Sequence, residues 1–215
     1  MNHPDILAAL PRGPSGTRTT PRLAAAGIPV VLRDGSVVLI RQVRSTDAPL
    51  LADGFARLSP RSRRMRFLGA KTTLSAADLR YFTEVDHHDH EAIGALSAAD
   101  GRGVGIARYI QDADDPQAAE LAVTVVDDWQ GRGLGTELLS CMSDRARQAG
   151  IHRLTALVAA ENVAMAGLAR KLGACLADRG PGTVEYEIAL GPRSTAWTGG
   201  SAAWMAWPRP VREGR

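Results

Sequence analysis

The stretch Glu120-Leu-Ala-Val-Thr-Val-Val-Asp-Asp-Trp-Gln130-Gly-Arg-Gly-Leu-Gly-Thr136 decides the fold. A β-branched strand runs directly into a glycine-rich turn, then into an amphipathic helix presenting Leu134, Leu138 and Met142 at helical spacing. Gly131, Gly133 and Gly135 let the backbone approach a ligand with no Cβ in the way. The first helical turn leaves N–H groups without intrahelical partners, and the helix dipole favours negative charge in front of them. The physical reading is a phosphate cradle carried on a strand–turn–helix unit.

Working outward, strands and helices alternate on both sides of this unit. Val37 to Val43 reads as a strand, and Asp47 with Pro49 opens a helix to about Leu58. Ser59-Pro60 opens another towards Phe67, and Ser75 with Asp78 forms a variant capping box for a third. Strands follow at Glu91–Ser97, Gly103–Gln111 and Ala119–Val126, the first two joined at the turn signal Asp100-Gly101. The long helix runs from about Gly133 to Ala149 and stops at Gly150. A strand at Leu154–Val158 precedes a helix with Met165, Leu168, Ala169 and Leu172 on one face and Gly173 at its end. Strands near Cys175–Ala177 and Thr183–Leu190 complete a domain expected to span 31–190. The class is α/β, a mixed sheet with helices packed on it.

Residues 1–30 hold four prolines before Ile28 and no sustained periodicity, and read as a flexible N-terminal tail. Residues 191–215, with Gly199-Gly200 and Pro208-Arg209-Pro210, read as a second tail. That tail carries Trp197, Trp204 and Trp207, so it either stays mobile or uses these rings as anchors of a docking segment. Of the 215 residues 45% are hydrophobic and 23% charged, which excludes a generally disordered chain. No apolar run approaches the roughly 18 residues of a membrane helix. The apolar stretch Ile6 to Leu10 has no basic residue before it, so no signal peptide is expected. Two cysteines, Cys141 and Cys175, fit a reducing, cytoplasmic setting. The net charge of +3 suits an anionic ligand. A concentrated basic stripe with interleaved aromatics is missing, so neither nucleic acid nor a membrane is expected as partner.

Two common phosphate-binding patterns do not match. A P-loop ends in Gly-Lys-Ser/Thr, and no Gly-Lys pair occurs in the chain. A dinucleotide fingerprint needs glycine where Thr136 stands, and the acidic residue expected about 20 positions later is absent from Gln148-Ala-Gly-Ile-His. The pattern Gln130-x-x-Gly133-x-Gly135 resembles the acyl-coenzyme A pyrophosphate motif of the GNAT superfamily of N-acetyltransferases. Asn162-x-x-Met165, ending at Lys171-Leu172-Gly173-Ala174, resembles the second cofactor-side element of that family. A closer resemblance lies in Leu32-Arg-Asp-Gly-Ser36, Leu58-Ser-Pro-Arg-Ser62, Arg66-Phe67, Asp78-Leu-x-x-Phe82-Thr and Val85-Asp-His87. These are similar to the catalytic domain of bacterial Pat-type protein lysine acetyltransferases. In that group the domain is often fused to a regulatory or synthetase-like domain; neither fits tails of about 30 residues, so the group's regulation is not carried over.

The resemblance implies a GNAT-like, mostly antiparallel central sheet with helices on both faces, splayed between the fourth and fifth strands. It implies acetyl transfer from acetyl-CoA, as co-substrate, to a primary amine, with a protein lysine first among acceptors. A small-molecule amine N-acetyltransferase and a non-catalytic acyl-CoA-binding sensor are the alternatives. Backbone groups at Val125, Val126 and Asp127 would meet the pantetheine arm and thioester oxygen, stabilising charge that develops there. Gln130, Gly131, Arg132, Gly133, Leu134, Gly135 and Thr136 would surround the pyrophosphate, with Asn162 and Lys171 near the arm and phosphates. Asn162 is equally explained as a helix N-cap, and Arg132 and Lys171 as solvated charges.

The amine must be neutral to attack. A lysine with pKa about 10.4 is roughly 1 part in 2,500 neutral at pH 7, a cost of about 4.6 kcal/mol that a positioned base removes. Glu120 matches the glutamate treated as catalytic in Pat-type enzymes, on a strand face with Ala122, Thr124 and Val126. Its other reading is a strand-edge carboxylate paired with an arginine such as Arg108. Many family members place a thiolate-protonating tyrosine where Ala169 stands here. The run Asp86-His87-His88-Asp89-His90-Glu91 is expected to shape a loop rather than hold a metal, because adjacent side chains diverge. Arg61, Arg63, Arg64 and Arg66 read as a helix face with ion pairs.

Overall fold

Period-two alternation along Val37–Gln42 gives a strand with one face inward. The computed structural model, which describes residues 27–191, assembles eight such strands into one sheet. They are β1 (Ile28–Val31), β2 (Val37–Gln42), β3 (His90–Ser97), β4 (Gly103–Gln111), β5 (Ala118–Val125), β6 (Arg153–Ala159), β7 (Cys175–Gly180) and β8 (Thr183–Ala189). The order across the sheet is β1-β2-β3-β4-β5-β6-β8-β7. Every neighbouring pair is antiparallel except β5–β6, which is parallel. Among the described residues five helices flank it: α1 (Ala48–Ala56), α2 (Pro60–Phe67), α3 (Ala76–Thr83), α4 (Leu134–Gln148) and α5 (Val163–Lys171).

The expected elements form for the expected local reasons. Ser59 caps α2 by accepting from the Ser62 amide at 3.1 Å, and Ser75 and Asp78 close a reciprocal capping box on α3. Gly101 turns the β3–β4 hairpin at φ +72°, and Gly150 and Gly173 follow α4 and α5 at φ +83° and +75°. β1 is an addition. The domain begins before the expected boundary at 31, because Ile28–Val31 pairs with Val37–Ile40 as an edge strand, where Pro29 is tolerated. β7 is longer than expected and exposed along its whole length. The tryptophan-bearing segment 192–215 and residues 1–26 lie outside the described residues.

The two faces of the sheet differ. On one, Leu134, Leu138, Leu139 and Met142 of α4 close a core with Ile93, Ala95, Ala107, Tyr109, Leu121 and Leu154. Gly105 permits that approach, since a Cβ there would come within 2.9 Å of Leu138. Into this core the sheet sends one carboxylate. Glu91 is 0% exposed and Arg145 of α4 is 5% exposed, and the two form an ion pair. The second carboxylate oxygen meets His87 Nδ1 at 2.6 Å and accepts from the Ala92 amide at 2.9 Å, while Gln42 donates at 3.2 Å to the oxygen that binds Arg145. Each lone pair of this buried charge is thereby used, which such a pair requires to hold its place. The other face carries α1, α2 and α3 over an apolar cavity of about 100 Å³ lined by Leu50, Phe55, Phe67, Phe82 and Ile106.

The buried pair gives a direct test. Glu91→Gln removes the negative charge facing Arg145 and should cost about 3–5 kcal/mol, read as a lowered urea midpoint at unchanged slope. Replacing both residues with apolar ones of similar volume should recover much of that loss.

Candidate functional site

Parallel pairing between β5 and β6 stops almost where it starts: Ala118 faces Arg153, Ala119 faces Leu154 and Glu120 faces Thr155, and nothing pairs beyond. Leu121–Val125 and Ala156–Ala159 then diverge, and between them opens a cleft of about 600 Å³. This is the expected splay. The β6-facing edge of β5 is left without a strand partner, so its backbone polar groups are available to a ligand.

At the mouth of the cleft the glycine-rich turn takes its special shape. Gly131 and Gly133 sit at φ +75° and +98°, the left-handed region where a side chain is strained. The amides of Thr136 and Glu137 donate to the Gly133 carbonyl at 3.0 and 3.2 Å. Those of Leu134 and Gly135 open α4 with no backbone partner among the described residues, and point the positive end of the helix dipole outward. Gly135 also lets α5 come close, since a Cβ there would lie 3.2 Å from Leu168. The fit to a phosphate is therefore built from backbone.

Of the expected contact residues, Val125, Gln130, Gly131, Gly133, Gly135, Thr136, Asn162 and Lys171 line the cleft together with Glu120. Gln130 donates to the Val125 carbonyl at 3.0 Å, tying the turn to the strand. Asn162 does cap α5, accepting from the Met165 amide at 3.0 Å, which leaves its amide nitrogen as a donor towards the cleft.

Four others are placed elsewhere. Leu134 is a core residue at 1% exposure, contributing at most its amide. Val126 is buried, its amide committed to the Val104 carbonyl at 3.0 Å. Asp127 accepts from Ser59 Oγ at 2.7 Å and Ser62 Oγ at 2.8 Å, fastening the end of β5 to α2. Burial works against the charged form of Asp127, but these hydrogen bonds hold its carboxyl below the usual range. The reason is register: the free edge of β5 begins straight after Glu120, so the strand lines the cleft with Leu121–Val125. Arg132 turns away, bridging Asp34 at 3.0 Å and the Asp128 carbonyl at 2.6 Å with its guanidinium over the Trp129 ring.

Arg33 takes the position expected of Arg132. Its amide donates to the Arg132 carbonyl at 3.1 Å, and its side chain lies along Gly133, within 3.3 Å of where a Cβ would stand. Arg61 and Arg66 line the cleft as well. The expected ion-paired face of α2 holds only in part: Arg64 pairs with Glu161 at 2.7 Å, and Arg63 donates to the Thr72 and Ala56 carbonyls. Arg33 stands inside the quoted Leu32–Ser36 segment, but its role depends on how the β1–β2 turn meets the glycine loop.

Glu120 is exposed at the apex of the splay and makes no salt bridge among the described residues, though its charge attracts the Arg66 guanidinium. Arg108 is not its partner: that guanidinium donates to the Phe82 carbonyl at 2.9 Å and meets His90 Nε2 at 3.0 Å. The 86–91 run disperses as its side chains diverge. Asp86 accepts from the His88 and His90 amides, His87 turns to Glu91 and the Val43 carbonyl, and His88 contacts Asp89. No group of three potential metal ligands occurs among the described residues. Ala169 is fully buried beneath Ala156, Val158 and Tyr186, and no tyrosine lines the cleft. Burial pushes the Cys141 thiol up to about 12, which leaves it a poor nucleophile. No helix among the described residues is long and apolar enough to cross a membrane.

Residues 38–174 match the acetyltransferase (GNAT) domain family. An acetyltransferase of Pseudomonas aeruginosa is 39% identical over 144 residues, covering 66% of this chain and 77% of its own. The acetyltransferase Pat of Mycolicibacterium smegmatis is 32% identical over 176 residues, and the match takes in 81% of this chain but only 53% of that protein. Among solved structures, the GNAT domain of S. lividans PAT superposes with a TM-score of 0.72 at 30% identity, covering 77% of this chain and 98% of that one. A Salmonella typhimurium structure described as a putative acetyltransferase with its cofactor acetyl-CoA shares the fold, with a TM-score of 0.59 at 19% identity over 73% of this chain and 96% of that one.

Gly133→Val places a branched side chain at φ +98° against Arg33 and into the cradle. It should weaken coenzyme A binding at least tenfold by calorimetry while costing about 1–3 kcal/mol of stability. Gly131→Ala, strained alike but facing open space, serves as the control that separates strain from exclusion.

Proposed function

The chain belongs to the GNAT acetyltransferase family, and on that premise we propose that it moves an acetyl group from acetyl-CoA to a primary amine, with Glu120 as general base. The observation that carries this reading is the place of Glu120, the last paired residue before β5 and β6 part. Acetyl-CoA would supply the activated thioester; its phosphates would meet the amides at 131–136 with Arg33 beside them, and its pantetheine arm the free edge of β5. Glu120 stands at the closed end of the same cleft, open to water, with the Arg66 charge near it. A carboxylate so placed can take the proton of an ammonium, directly or through one water, as the amine attacks.

The resemblance of the chain to Pat-type enzymes over most of its length supports a protein lysine as acceptor. A second reading, a small-molecule amine, is supported by the apolar cavity that adjoins the cleft at Arg66, Phe67 and Thr124. A non-catalytic acyl-CoA sensor would need no base at the apex, so the placement of Glu120 argues against it. With both cysteines unpaired, we place the protein in the cytoplasm.

Glu120→Gln keeps shape but cannot accept a proton. Turnover should fall by about 10²–10⁴-fold, with coenzyme A affinity and melting temperature nearly unchanged. Raising the pH should restore part of the rate, because more of the amine is then already neutral. A pH–rate profile of both proteins checks this, and wild-type turnover in the folded variant removes Glu120 from the mechanism.

A further inference from the structure

We propose that the acceptor carries a carboxylate beside its amine, and that Arg66 and Arg108 receive it next to Glu120. This rests on the reading of the cleft as an amine acetyltransferase site.

The sheet builds the juxtaposition. Arg108 faces Ala122 and Ile110 faces Glu120 across β4–β5, so Arg108 and Glu120 are diagonal neighbours on one face. Such diagonal positions lie about 7–8 Å apart. Arg66 reaches the same face from α2 and lines both the cleft and the apolar cavity behind it.

Buried charges are normally paired, and Arg108 meets no carboxylate among the described residues, while half-buried Arg66 is drawn to Glu120. Arg108 is 4% exposed, yet its two hydrogen-bond partners, the Phe82 carbonyl and His90 Nε2, are neutral. Burial, with the charge of Arg108 added, pushes His90 down to about 4, so the imidazole brings no charge of its own. Burial lowers Arg66 against the attraction of the Glu120 charge, and its guanidinium lies 5.3 Å from the Phe67 ring centre. Asp47, the carboxylate at the cavity wall, is taken by Arg41 through two hydrogen bonds of 2.6 and 2.8 Å. Burial, joined by the charge of Arg66, lowers Arg108 to about 10, while the Glu120 carboxylate acts on Arg66 and leaves Arg108 with no carboxylate of its own.

A carboxylate entering between them relieves both burial and repulsion, and finds fork-shaped donors suited to it. Glu120 then faces the cationic amine. The site thereby sets Glu120 against the amine of a zwitterion and the two guanidinium groups against its carboxylate. Two acceptors present that chemistry: a free amino acid, or a lysine with an acidic side chain next to it.

The test uses the full chain and acceptor pairs that differ only in the carboxylate. One arm sets proteinogenic amino acids against their carboxamides; the other sets lysine peptides with an adjacent glutamate against glutamine. Two quantities are read: acetyl transfer, and the rise in melting temperature that each acceptor gives in the presence of coenzyme A. In one arm the acid should exceed its amide about 10- to 100-fold in kcat/KM, as a charge-assisted hydrogen bond provides. That advantage should vanish in Arg66→Gln and in Arg108→Lys, the latter keeping charge but not the fork. The arm that discriminates identifies the source of the carboxylate. Transfer without discrimination overturns this proposal and leaves acetyl transfer standing. A carboxylate-dependent melting rise without transfer keeps it and overturns the transfer reading. No difference in either quantity, or discrimination that survives both substitutions, overturns it.

Discussion

The parallel contact between β5 and β6 is three residues long, and the rest of the molecule is arranged around its brevity. Had the two strands stayed paired, their backbone groups would have satisfied one another and the cleft would not exist. Their separation leaves a strand edge facing space, and it needs lateral support. α5 gives it on one side, seating Leu168 against Gly135, and the Asp127–Ser59–Ser62 hydrogen bonds give it on the other by holding α2 to the end of β5. The glycine turn inherits its position from both.

The two faces of the sheet divide the work. The α4 face is closed, and the carboxylate its sheet sends inward, Glu91, is surrounded by donors that leave it no latitude. The α1–α3 face has a buried guanidinium, Arg108, with neutral hydrogen-bond partners, an adjoining cavity and an exposed glutamate. Residues of one strand serve both, because alternation sends Leu121, Val123 and Val125 to the core and Glu120, Ala122 and Thr124 to the site. Rigidity on one side makes precise placement on the other affordable.

The strand–turn–helix at 120–136 was legible because three local signals coincide there: β-branched residues, spaced glycines and a helical apolar stripe. The capping box at Ser75, the hairpin at Gly101 and the helix-ending glycines were legible for the same reason, each being encoded within a few residues. β1 was not, since four residues containing Pro29 show no alternation and acquire their strand character only from β2. The far half of β7, Asp178-Arg179-Gly180, likewise has no apolar pattern and extends because β8 continues beside it. Within the site, the glycines and Gln130 could be read from spacing, whereas Glu120 was singled out by resemblance and its apex position comes from the β5–β6 pairing. The exchange of Arg132 for Arg33 could not, because it is decided by contacts between residues about a hundred positions apart. The same holds for Arg66 and Arg108, which sequence places on separate elements and only the sheet brings to one face.

An unpartnered strand edge and a ring of outward-facing amides also tie the lifetime of the chain to its surroundings. A ligand that fills them binds the folded form and has nothing to hold in the unfolded one, so by mass action it adds to the folding free energy. At a free concentration 100 times its Kd the gain is about 2.7 kcal/mol, a large share of what typically separates a folded domain from an unfolded one. Resistance to proteolysis therefore becomes a reporter of ligand supply, with the opening between β5 and β6 as its sensor.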